Sequence, residues 1–193
     1  MPILRLPKGS LRDEIRQPLY DTITIAAAES PIATRSFFSS VQGKPKSQSN
    51  LKQNNILETA VSYRVQGMAM DAQNIYAANA GALPLIQENS SVKIKIGEKD
   101  YWEGNMVFLT GRIWQHASAA AAPLVRQQFG GHAVQPVMLK GKHVVDINPL
   151  QSFFAEWSCA GMTAAEITAA TPAANTQLKF IFSFKGLLRR PVQ

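Results

Sequence analysis

The stretch LKFIFSFK, Leu178 to Lys185, lies close to the C-terminal end of the chain and decides how the rest is read. In an extended chain, Leu178, Phe180, Phe182 and Phe184 fall on one face, and Lys179, Ile181, Ser183 and Lys185 on the other. Burying one such side chain is worth roughly 1.5–3 kcal/mol, so a phenylalanine face of this kind belongs to a half-buried strand and not to a frayed tail. Gly186 then reads as the place where the chain turns. LLRRPVQ reads as a segment emerging beyond the core, with Arg189, Arg190 and Pro191 placed to meet a neighbouring subunit or solvent. Partner strands must come from earlier in the sequence.

Working back from this strand, period-two patterns recur. YDTITIA sets Thr22 and Thr24 against Ile23 and Ile25, a first strand. In ETAVSYRVQGMAM, Gly67 interrupts the alternation and suggests a bulge or a close backbone approach. SVKIKIG opposes Val92, Ile94 and Ile96 to Lys93 and Lys95, and SFFAEWSCA puts Phe153, Ala155, Trp157 and Cys159 on one face. MVFLTG, apolar on both faces, reads as a more central strand, and VMLKGKHVVDI as a short hairpin turning at Lys140 and Gly141. Counting the last strand, there are seven to nine candidates. Helical signals are fewer: a segment around Pro123 ending at Gly130, and TAAEITAA with a capping-box spacing from Thr163 to Glu166. QGKPKSQSNLKQNN, Gln42 to Asn55, reads as a long polar surface loop. Residues 1–18, interrupted by Pro2, Pro7 and Pro18, read as an extended arm that carries Arg5, Lys8, Arg12 and Arg16. The domain proper is expected over residues 19–193. Strands that far outnumber helices, without a β-α-β alternation, fit an antiparallel β-sandwich.

At 193 residues the chain suits one core. Its charged share of 17% lies below the usual value of about 25%, which leaves a surface suited to being covered by something else. The net charge of +7 suits phosphate, nucleic acid or an anionic membrane surface as neighbours, and suits a merely basic soluble protein at least as well. The N-terminus lacks the apolar run of a signal peptide and no segment reaches the roughly 18 apolar residues of a membrane span, so a soluble product made in the cytoplasm is expected.

Catalytic chemistry finds little support. His116, His132 and His143 stand in unrelated contexts, and the single cysteine, Cys159, lies in an apolar run that suits a buried thiol. FGGHA is not a phosphate-binding loop, and no G-x-S-x-G elbow occurs. An acid/base pair would have to be assembled by folding, from residues such as Asp146 and Glu156. The rings of the last strand alternate with its lysines, a geometry for a core strand and not for a base-stacking platform. The spaced arginines of the arm are the better phosphate-contacting set. Tyr101 and Trp102 in GEKDYWEGN suit either a sugar contact or packing at a hairpin edge or subunit boundary.

The order RSFFSSVQGKPKSQSNLKQNNIL, VSYRVQGMAM, VVDINPLQSFFAEWS and FKGLLRRPVQ resembles the jelly-roll coat proteins of tailless icosahedral bacteriophages, over about Thr34 to Gln193. The resemblance implies an all-β fold, a single eight-stranded antiparallel jelly-roll sandwich with short inserted helices and an extended N-terminal arm. It implies a structural virion protein, not an enzyme, that self-assembles into an icosahedral capsid without cofactor or metal. Its partners would be further copies of itself in trimeric or larger capsomers, a second capsid protein, and the viral genome or an internal membrane met by the inward-facing arm. Many such proteins carry two jelly rolls, whereas this chain has room for one. The alternative from the residues is a β-sandwich binding module for carbohydrate or single-stranded nucleic acid.

Overall fold

The computed structural model describes residues 3–5, 11–73, 79, 81–110, 137–138 and 144–191. Strands run in the order β1 (Ile3–Arg5), β2 (Leu11–Arg16), β3 (Leu19–Ile25), β4 (Ala33–Phe37) and β5 (Ser62–Gln73). They continue through helix α1 (Ala82–Glu88), β6 (Ser90–Ile96), β7 (Lys99–Asn105), α2 (Val107–Thr110), β8 (Val137–Met138) and β9 (Val145–Ile147). The chain closes with β10 (Phe153–Cys159), α3 (Ala164–Ala170) and β11 (Leu178–Pro191). Among the described residues all strand pairs are antiparallel and form a seven-stranded and a four-stranded sheet.

The phenylalanine strand is the axis of the larger sheet. β3 and then β2 pair along one side of β11, and β5 pairs along the other, from Lys179↔Gln73 to Arg189↔Ser62. β9 and β8 line the far side of β5, and β1 pairs with β2. The smaller sheet has the order β4-β10-β6-β7. Its β10 buries Phe153, Ala155, Trp157 and Cys159 in strict alternation. The two sheets meet ring to ring: Phe37 lies 5.6 Å from Phe182, Trp157 5.4 Å from Phe180, and Phe38 stacks on Phe184 at 5.7 Å. An all-β sandwich results, its core closed by aromatic contacts from opposite layers.

Three expectations from sequence change. The chain does not turn at Gly186; β11 runs on to Pro191 through an irregularity between Lys185 and Gly186, opposite the extra residue Gln66 of β5. A Cβ at Gly186 would stand 1.9 Å from the Arg64 carbonyl oxygen, so the glycine serves close strand approach, next to the bulge that Gly67 had signalled. Met106–Thr110 is not a central strand: the Leu109 and Thr110 N–H groups donate to the Met106 carbonyl, and Asn105 Oδ1 accepts from Val107 N–H at 2.8 Å. A short run that is apolar all round has no period to separate strand from buried helix. β8 and β9 are not the arms of a hairpin, because both are antiparallel to β5 and therefore run the same way; Lys140 and Gly141 lie outside the described residues, as does the segment from Ala117 to Gly130. The capping box at Thr163 and Glu166 is realised in α3, while β4 and α1 had no clear pattern in the sequence.

Candidate contact surfaces and an interstrand cleft

The two basic sets expected from sequence meet at one corner of the larger sheet. Arg12 on β2 faces Pro191 on β11 in the ladder, and Arg16 faces Leu187. Arg5 lies on β1, which pairs with β2, and Lys8 is outside the described residues. Residues 3–5 and 11–16 of the arm are thus extended and paired, and β2 is continuous with the sheet through β11. Arg16 is exposed.

The C-terminal arginines are engaged within the chain. Arg189 Nε donates to Glu14 Oε1 at 2.5 Å in a half-buried pair, and Arg190 Nε lies 3.9 Å from Asp13 Oδ2. Next to them, Arg64 donates from Nε and Nη2 to both oxygens of Asp146, at 2.9 and 3.1 Å. This fork-to-fork bond, with Arg189 adding attraction from 3.9 Å, holds the Asp146 carboxyl below the usual carboxylate range against the opposing effect of partial burial. Glu156 sits on β10 of the other sheet, so Asp146 and Glu156 are not brought together as an acid/base pair. His116, His132 and His143 lie outside the described residues. Burial raises the Cys159 thiol, which is 1% exposed.

A third feature was not anticipated. Asp21 is 0% exposed in the apolar phase of β3, where Lys44 Nζ donates to its two oxygens at 2.8 and 3.0 Å. The same amine donates to the Thr22 carbonyl at 2.7 Å. The Gln42–Asn55 loop is therefore a strap: Thr22 Oγ1 donates to the Gln48 carbonyl, Asn50 Oδ1 accepts from Tyr20 N–H, and the Tyr20 hydroxyl donates to the Lys46 carbonyl. It covers the side of β3 that has no strand partner among the described residues, where it takes the place of a neighbouring strand. The available signal was Asp21 itself, a carboxylate in register with Ile23 and Ile25; nothing local pointed to Lys44.

The fourth feature is a cleft of about 400 Å³ where the layers part, between β7 and β9. The buried Val65, Met68, Ile94, Ile96 and Phe184 line it together with the more exposed Tyr101, Trp102, Val144, Val145 and Asp146. No protein-family model, curated protein or solved structure matches this chain.

Proposed function

We propose that this protein is a structural virion protein, a single jelly roll that self-assembles through capsomers into an icosahedral phage capsid with its basic N-terminal arm facing the interior. The strand order carries the reading. Leaving aside β1, β2 and the short β8, the sheets have the orders β3-β11-β5-β9 and β4-β10-β6-β7. The chain changes sheet from β3 to β4, to β5 and to β6, and again from β7 to β9, to β10 and to β11. That winding is what a double Greek key calls for, and it supports the reading as a jelly roll, a fold of capsid and lectin domains.

A fold hosts many functions, so the assembly reading rests also on the surface. The low charged fraction suits a brick covered by neighbours, and Phe108 and Leu150 expose 71% and 58% of their area. In this reading the partners are further copies in trimeric or larger capsomers, with a second capsid protein and the genome or an internal membrane met through Arg5, Lys8, Arg12 and Arg16. The protein is made in the host cytoplasm and ends in the virion. Sedimentation velocity and negative-stain imaging of the purified chain test it: closed shells or large regular oligomers are expected, and a monomer at high concentration overturns it.

A further inference from the structure

We infer that the β7/β9 cleft binds the pyranose ring of a neutral saccharide, with Tyr101 and Trp102 as its stacking groups. The register of β7 makes the site. Ile94 pairs with Trp102 but Lys95 pairs with Asp100, so Tyr101 is an extra residue on the edge strand. Without that bulge, successive residues would point to opposite faces; with it, both residues line one cleft. Tyr101 remains 44% exposed there. Trp102 is held in place by its own strand, because its indole lies where a Cβ on Gly104 would stand, 2.8 Å from the nearest ring atom.

The remaining lining defines the ligand. A volume of about 400 Å³ lies within the range of small-molecule sites. Among the described residues β7 pairs only with β6 and β9 only with β5, and the backbones of the two strands border the cleft. Among the described residues of the lining the one carboxylate is Asp146, and both its oxygens are engaged by Arg64, whose position alternates with the core residues Tyr63 and Val65. The described lining thus offers aromatic faces and backbone polar groups, with its one carboxylate already paired. A sugar ring, with an apolar face and hydroxyls around its rim, matches that set; an anion does not. The inference does not depend on capsid assembly and holds equally for a monomer.

The test is saturation-transfer NMR and calorimetric titration of the full-length protein with methyl glycosides of glucose, galactose, mannose and N-acetylglucosamine, and with octanoate as an apolar control. At least one glycoside is expected to bind saturably, with Kd on the order of 1 mM or tighter. Tyr101→Ala should weaken it about tenfold or more, with the melting temperature unchanged. Gly104→Ala, which displaces the Trp102 ring without removing an aromatic group, should weaken it also. Absence of saturable binding by every glycoside, binding indifferent to Tyr101→Ala, or binding of octanoate alone each overturns the inference.

Discussion

The buried carboxylate of Asp21 accepts the backbone N–H of Phe38 at 2.7 Å, and Phe38 holds a left-handed backbone with φ of 69°. A bulky residue in that region is strained. The strain has a consequence: Phe37 and Phe38 are neighbours in sequence, yet both rings enter the core, one against Phe182 and the other against Phe184. A regular strand would send one of them to solvent. Asp21 therefore joins the strap, through Lys44, to the aromatic centre of the sandwich.

Removing the cation should expose this linkage. Lys44→Met leaves a buried carboxylate without its charge partner and is expected to cost about 3–5 kcal/mol in urea denaturation. Asp21→Asn in the Lys44→Met background should recover part of the loss, because an amide oxygen still accepts from Phe38 without a buried charge. A cost below about 1 kcal/mol for Lys44→Met would mean that the pair behaves as an exposed ion pair.

Two glycine-to-alanine changes should have opposite signs. Gly186→Ala drives a Cβ into the Arg64 carbonyl and should destabilise by about 1–3 kcal/mol or more. Gly81, at φ −79° with no atom of the described residues within 4 Å of where its Cβ would stand, should accept alanine with a gain of about 0.4–1 kcal/mol. Thermal melts of the two variants check the contrast.

Asp146 gives a pH prediction. Its carboxyl is lowered in the folded state, chiefly by the Arg64 bond, so the native protein binds fewer protons there than the unfolded chain. The contribution is full above the unfolded value of about 3.9 and is lost as pH falls through the lower folded value. Asp146→Asn should flatten that part of the stability profile and cost less than about 1 kcal/mol at neutral pH, since both partners are over one-third exposed. An unchanged acid slope would show that the pair does not contribute.

The arm can be divided by truncation. Deleting residues 1–10 removes β1 and leaves the β2–β11 ladder and the Arg189–Glu14 pair in place. Deleting residues 1–18 also bares the side of β11 from Leu187 to Pro191. The longer deletion should lower the melting temperature more, while far-ultraviolet circular dichroism still reports a folded sandwich. If assembly follows the proposal, both truncations should reduce packaged contents. Equal melting temperatures for the two would mean that β2 adds nothing to the domain.

Cys159 should react slowly with a thiol reagent in the native protein and rapidly once unfolded, because burial both shields the sulfur and disfavours the thiolate. Rapid native labelling would show that the end of β10 opens.

Much of the sandwich was legible in one dimension because strand burial has a period of two. Phe180, Phe182 and Phe184, or Phe153, Ala155 and Trp157, announce their face without reference to any neighbour. The capping box of α3 was equally local, since its bonds join residues three apart. The apolar run at Met106–Thr110 was ambiguous because it lacks a period, and the course of β11 past Gly186 was hidden because its cause is a carbonyl on another strand.

The sites divide in the same way. Residue types, the apolar face of each well-patterned strand and the arginines at positions 5, 12, 16, 189 and 190 can be read in one dimension. Folding in three dimensions was needed to put the two arginine sets on one ladder, where Arg189 and Glu14 pair across 175 positions. It also decided that Lys44 reaches Asp21, and that a bulge turns Tyr101 beside Trp102. Pairing in a sheet is set by the packing of whole layers, so the partner of a charge or a ring is fixed by residues far from it in the chain.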